Sequence, residues 1–211
     1  MTEDTLSSDN IPKAKHEPLS QVLNEFAASA KGNINFADLR DALGDRAFAA
    51  LLVLFSSINL IPITPPGTTL IFGIPPLIIA VQMILGQKKV WLPKFILDRP
   101  ISAERFLSLM SYVTPRLRKM EQYIKPRYWP FSPMLGERVV GILCALLSIL
   151  VILPIPGANW IPAFSMVLMG LSLSERDGLL LITGLAIGAG FLAVFATVVG
   201  TATQHLSNIF K

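Results

Sequence analysis

Charge is what this 211-residue chain has least of. Asp, Glu, Lys and Arg together make up 15% of it, against about 25% in an ordinary soluble domain. Hydrophobic residues reach 52% and the mean hydropathy is +0.57. The deficit falls in blocks with no charge at all, which excludes a disordered chain and argues against a soluble enzyme. The single cysteine, Cys144, sits in an apolar run, so there is no disulfide framework and no cysteine-based metal site. His16 and His205 stand far apart without other ligand-type residues, so no zinc site is expected. No His/Asp/Ser grouping, no paired acids in an apolar block and no P-loop are visible, so the chain reads as a non-enzyme without a cofactor. The polar N-terminus lacks the apolar core of a secretory leader.

Proline and glycine, by contrast, are frequent, at sixteen and fourteen residues, and many lie inside the apolar blocks where soluble helices avoid them. Residues 1–34 read as a polar tail and an amphipathic helix, with Leu19, Val22, Leu23, Phe26, Ala27 and Ala30 at helical spacing up to Gly32-Asn33. Asn35 with Asp38 resembles a capping box that opens a second short helix through Leu43. Five uncharged blocks follow, at 47–63, 68–87, 139–155, 158–174 and 179–204. A hydrocarbon core of about 30 Å needs roughly 20 helical residues. The fifth block clears that length comfortably, and the others are marginal. The second is interrupted by Gly73, Pro75 and Pro76. Blocks one and two meet at Thr64-Pro65-Pro66-Gly67, and blocks three and four at Pro156-Gly157, with no charged loop between them. Such turns fit inside a membrane, where irregular backbone must be buried in protein or line a cavity.

The two halves repeat. Leu43-Gly44-Asp45-Arg46 matches Leu135-Gly136-Glu137-Arg138, and Ile61-Pro62-Ile63 matches Leu153-Pro154-Ile155 at the same offset. Two residues of insertion later, Pro66-Gly67 matches Pro156-Gly157. The expected fold is therefore all-α, a polytopic integral membrane protein of two repeated Pro-Gly-broken helical hairpins plus a C-terminal transmembrane helix; the hairpins read as re-entrant, with short, tilted spanning helices joined by a tight turn at the far surface as the alternative. Its parts are repeat one at 35–87, a basic interfacial segment at 88–134, repeat two at 135–178 and a final helix at 179–204. Gly/Pro-broken apolar segments at corresponding places of two halves point to a transporter site. Helices restarting after the breaks aim free N–H groups inward and favour carboxylates, while the preceding helices end in carbonyls that favour cations. That combination suits a zwitterionic or basic amino acid. Asn59, Thr64, Pro66, Gly67, Thr68, Thr69, Pro156, Gly157 and Asn159 are the expected substrate-binding positions. Capping serves each of the polar ones equally well. Asp45, Arg46, Glu137 and Arg138, at the hairpin mouths, are candidates for ion pairing across the halves or for gating.

Residues 88–127 hold ten Lys/Arg against Asp98, Glu104 and Glu121. Nucleic acid is not the expected partner, because a short basic loop between apolar segments marks the cytoplasmic side. Phe106, Leu107, Leu109, Met110, Tyr112 and Val113, interleaved with Arg105, Arg116, Arg118 and Lys119, read as a basic amphipathic helix on that leaflet. Membrane lipids and a small solute are the expected partners. Gly184 and Gly188 form a GxxxG pair that brings helices close, within the chain or in a homodimer.

Leu43-Gly44-Asp45-Arg46, Asn59-Leu60-Ile61-Pro62, Pro66-Gly67, Gly73-Ile74-Pro75, Gln82, Gly86, Trp91-Leu92-Pro93, the basic segment and Pro126-Arg127 together resemble the ExoD family, over residues 35–205. These are bacterial inner-membrane proteins linked by name to exopolysaccharide synthesis, so the resemblance implies a multi-pass inner-membrane protein, with the N-terminus and residues 88–134 cytoplasmic from the charge pattern. It implies a phenotype and not a chemical activity. Translocation of lipid or lipid-linked glycan, or a scaffold for polysaccharide machinery, are the alternatives to solute transport. The paired hairpins are also similar in outline to the DedA proteins, implicated in lipid translocation, whose acidic and arginine motifs the chain does not reproduce.

Overall fold

Twelve consecutive residues, Ala47–Ile58, are buried on every side in the computed structural model, and the other helices are arranged around them. The structure describes residues 18–29, 33–34, 36–60, 68–93, 101–124, 129, 133–153 and 159–209. Among these, eight helices follow in order: α1 (Leu19–Ser29), α2 (Phe36–Leu43), α3 (Ala47–Ile58), α4 (Thr68–Leu85), α5 (Ala103–Glu121), α6 (Pro133–Ile152), α7 (Trp160–Glu175) and α8 (Gly178–Ile209). A single 3-10 turn, Gly44–Arg46, joins α2 to α3. Asn33–Ile34 pairs antiparallel with Ile101–Ser102, tying the approach to α2 to the approach to α5. A two-residue ladder leaves no periodicity in the sequence, so this pairing was not expected.

A helix that is apolar all round belongs at the centre of a bundle, and α3 packs against α4 and α7. In turn α4 packs on α6, and α7 on both α6 and α8. Small residues allow these crossings. A Cβ on Gly170 would stand 2.7 Å from Val53 Cγ2 and 3.2 Å from the Ala49 carbonyl oxygen. One on Gly141 would stand 2.9 Å from the Ala80 carbonyl oxygen. Gly184 and Gly188 are spent the same way, against Met169 of α7 and against Ser165 and Leu147 of α7 and α6.

The interruption expected at Gly73-Ile74-Pro75-Pro76 does not occur, since α4 runs unbroken from Thr68 to Leu85. Pro76 lacks the N–H that would bond the Phe72 carbonyl. The Asn59 amide supplies the donor, at 3.2 Å. Gly73 leaves room for the end of α6, its absent Cβ lying 2.8 Å from Ile152 Cγ1.

The basic helix also differs from expectation. Of the expected apolar residues of α5, Phe106, Met110 and Val113, together with Leu117, are buried inside the protein, whereas Leu107 is 45% exposed. The buried stripe packs on α1, with Phe26 meeting Phe106 edge-on at 5.8 Å between ring centroids. Glu121 fastens the pair, accepting hydrogen bonds from the Ser20 backbone N–H, at 2.8 Å, and from the Ser20 hydroxyl. Both come from the first turn of α1, where N–H groups have no helical partner.

The outer surface carries large apolar residues. On α6 Leu135, Ile142, Leu146 and Ile149 are exposed, as is Leu153 just after it, and on α8 so are Ile182, Val194 and Val198. Both helices, over Leu135–Ile152 and Gly178–His205, are long and apolar enough to cross a membrane. Asp177 opens α8, its carboxylate accepting from the N–H groups of Leu179 and Leu180 at 2.9 and 3.2 Å. A carboxylate N-cap of this kind complements the helix dipole.

Candidate functional site at the two helix breaks

Because α3 and α6 run one way and α4 and α7 run back, the two breaks lie at the same end of the bundle, as the contact of Gly73 with Ile152 shows. Of the substrate-binding positions expected there, Thr64, Pro66, Gly67, Pro156 and Gly157 fall outside the described residues. Thr68 and Thr69 form the first turn of α4, and their side chains also lie outside the description. Asn59 and Asn159 are placed, one beside each break.

The two asparagines are in different chemical states. Asn59 is buried and has both amide hydrogens committed within the protein, to the Phe55 carbonyl at 3.0 Å and the Phe72 carbonyl at 3.2 Å. Its NH2 group holds α3 to α4 and has no hydrogen left for a ligand. Asn159 precedes α7 but caps no N–H of it with its side chain. Among the described residues its buried Oδ1 has no hydrogen-bond partner. A buried acceptor of this kind costs free energy until a donor reaches it. Beside it stand the N–H groups of Trp160 and Ile161, which have no helical partner at the start of α7, with the positive end of the helix dipole; Pro162 offers no N–H, and that of Ala163 bonds the Asn159 carbonyl at 3.1 Å. Two further buried hydroxyls, Ser56 Oγ and Thr114 Oγ1, likewise have no partner.

The second set of expected residues gathers at the opposite end. Arg46 closes the 3-10 turn and comes within electrostatic reach of Glu175, the last residue of α7. Burial pushes the Glu175 carboxyl above its ordinary value. The Ser174 hydroxyl and then Arg46 oppose that rise, and the like charge of Glu121 adds to it. Glu137 is half-buried in the first turns of α6. The neighbouring Arg138 reaches the end of α4, its guanidinium 3.5 Å from the place a Cβ would take on Gly86. The Asp45 side chain lies outside the described residues. So the structure places Arg46 and Arg138 beside the C-terminal ends of α7 and α4. Among the described residues no group of three His, Cys, Asp or Glu is placed to hold a metal ion.

Sequence reasoning missed Gln82 as a working side chain. It is buried, donates to the Ile78 carbonyl at 3.0 Å and the Trp91 carbonyl at 2.6 Å, and accepts from the Trp91 N–H at 2.6 Å. It also missed a cleft lined by Arg40, Asp41, Gly44, Phe48, Lys88 and Lys89. The Lys88-Lys89 pair was the available signal, but its partners lie forty residues or more earlier in the chain.

Among the described residues, a helical bundle tied by one two-residue ladder, with two apolar helices long enough to cross a membrane, defines the class. The chain belongs to the ExoD family: the profile described as "Exopolysaccharide synthesis, ExoD" matches residues 19–197. It is 30% identical over 200 residues to Protein ExoD of Rhizobium meliloti (strain 1021), covering 91% of this chain and 83% of the relative. It is 28% identical over 196 residues to an uncharacterized protein of Synechocystis sp., covering 91% of this chain and 88% of the relative. No solved structure matches the chain.

Proposed function

We propose that this chain is a multi-pass inner-membrane protein that passes a small polar solute at the two helix breaks, in support of exopolysaccharide synthesis. The observation that carries the reading is the reach of α8 past the breaks. Gly184 lies against Met169 and Gly188 against Ser165, so α7 and α8 run antiparallel and the start of α7 is level with about residue 193. The last 16 residues of α8, about 24 Å, continue beyond it. They carry exposed Val194, Val198 and Val199, and no charge before His205. Thr197, Thr201 and Thr203 turn their hydroxyls back onto carbonyls of their own helix, as a hydroxyl without water does. With α7 only about 24 Å long against a core of about 30 Å, the breaks fall within the hydrocarbon and the hairpins re-enter.

The repeat of the two halves is part of this reading, and the packing supports it. Ala49 meets Gly170 as Gly141 meets Ala80. The first-arm residues of these pairs are 92 positions apart and the second-arm residues 90, the offsets that align Leu43 with Leu135 and Pro66 with Pro156. Gly86 and Arg176, also 90 apart, both follow their helices with positive φ, 68° and 54°. Ser56 and Ser148, 92 apart, are both fully buried.

At the second break the orphan Asn159 Oδ1 accepts from an ammonium and the N-terminus of α7 receives a carboxylate. A zwitterionic or basic amino acid is the solute class these groups select. A second reading that also accords with a link to exopolysaccharide synthesis is movement of a lipid or lipid-linked glycan. The basic segment lies on the cytoplasmic side by the positive-inside rule. A homodimer through α8 would use the face that carries Gly190 and Gly200, because Gly184 and Gly188 are occupied within the chain.

The test is uptake of a panel of radiolabelled amino acids into proteoliposomes, comparing the intact chain with Asn159→Leu. Saturable uptake that the variant loses is the expected result. If no amino acid moves under any ion gradient while labelled lipid does, the solute reading falls and the lipid reading replaces it.

A further inference from the structure

A cleft of about 500 Å³ opens at the end of the bundle away from the breaks, lined by Arg40, Asp41, Gly44, Phe48, Lys88 and Lys89. Arg40 and Asp41 pair at 2.7 Å and largely cancel. The two lysines are exposed, and neither has a carboxylate within bridging distance among the described residues. They follow the carbonyl end of α4, which favours cations. The Arg138 guanidinium, against Gly86, adds a third positive group beside the same turn. Buried Phe48 and Val90 form the apolar wall.

The surroundings say what kind of anion belongs there. Val81 and Leu85, one helical turn apart on α4, are 43% and 65% exposed and lead directly up to Lys88 and Lys89. Trp91, just beyond, is 61% exposed, as aromatic residues at a bilayer interface are. An apolar strip that ends in an unneutralised pair of ammonium groups matches a molecule with an acyl chain below a phosphate. We propose that this cleft seats the phosphate of an anionic phospholipid, with Lys88 and Lys89 on the phosphate and an acyl chain along Val81 and Leu85. The site requires that this end of α4 meet a bilayer surface, but it does not depend on what passes the breaks.

The test is lipid retention by the purified full-length chain, measured by native mass spectrometry after titration with phosphatidylglycerol, phosphatidylcholine or inorganic phosphate. Each surface lysine contributes about a fivefold factor to anionic-lipid binding. The Lys88→Gln/Lys89→Gln variant should therefore bind phosphatidylglycerol at least tenfold more weakly, while Arg105→Gln/Lys119→Gln, which removes two cations from α5, should bind as the unmodified chain does. Phosphatidylcholine should bind weakly throughout, and millimolar inorganic phosphate should not displace the lipid. An equal loss in the α5 variant would show a diffuse charge effect and overturn the site. Equal binding of phosphatidylcholine would overturn the role of the lysines, and displacement by phosphate would make the ligand a free anion. Should the double variant unfold early in a melting control, Lys89→Gln alone makes the same comparison, with an expected loss of about fivefold.

Discussion

Ser165 of α7 donates its hydroxyl to the Gly184 carbonyl oxygen of α8 at 2.7 Å, and both residues are buried. This bond sets the register in which the last helix lies along the hairpins. Gly188, one turn on, keeps the helices close, since a Cβ there would stand 2.6 Å from the Ser165 oxygen and 2.9 Å from Leu147 Cδ1. Gly188→Leu should force α8 away from α6 and α7 and destabilise the chain by about 1–3 kcal/mol. Thermal unfolding in detergent reads this directly. Gly190→Leu, where nothing lies within 4 Å, should leave the transition in place.

Gln82 closes the end of α4 onto Trp91 through both backbone groups of that residue. Gln82→Leu keeps the volume but leaves the part-buried N–H and carbonyl of Trp91 without this partner, at a cost of about 0.5–1.5 kcal/mol each. The melting transition should fall, and proteolysis should reveal a new cut near residue 91. Unchanged protease resistance would show that Gln82 does not hold this turn.

Much of this architecture was legible in the sequence because uncharged apolar blocks and Pro-Gly breaks are strong, local signals. The ends of α3, α4 and α7 lie close to where those breaks place them. What escaped was decided by contacts between distant residues. Periodicity marked Phe106, Met110 and Val113 as an apolar face but could not say that α1 and not lipid would cover it. The prolines of α4 looked like an interruption because the donor that replaces the lost N–H, on Asn59, lies on another helix. At the candidate site, sequence spacing pointed equally to Asn59 and Asn159. Only coordinates show one amide engaged and the other acceptor orphaned.

Burial raises the Glu175 carboxyl, with the Glu121 charge adding to it and Ser174 and Arg46 opposing. The folded chain therefore holds this proton to a higher pH than the unfolded chain does. Stability from this group is greatest below the unfolded value of 4.5 and declines as pH rises from there through the raised folded value. Glu175→Gln should raise the melting temperature at pH 7, with the difference shrinking towards pH 4. A variant that melts lower at pH 7 would show that attraction to Arg46 outweighs burial.

In the proposed re-entrant arrangement the helix breaks end inside the bilayer while α8 continues across it. The depth of Trp160, half-exposed at the start of α7, tests this most directly. In a Cys144→Ala background, Trp160→Cys and Ser207→Cys chains in oriented vesicles would be exposed to a membrane-impermeant maleimide from each side, and spin labels at both positions measured for depth. The expected result is that position 207 is labelled from the side opposite the basic segment, while position 160 is labelled from neither side and its spin label reports the hydrocarbon. Rapid labelling of position 160 from the same side as position 207 would place the breaks at the far surface and contradict re-entrance.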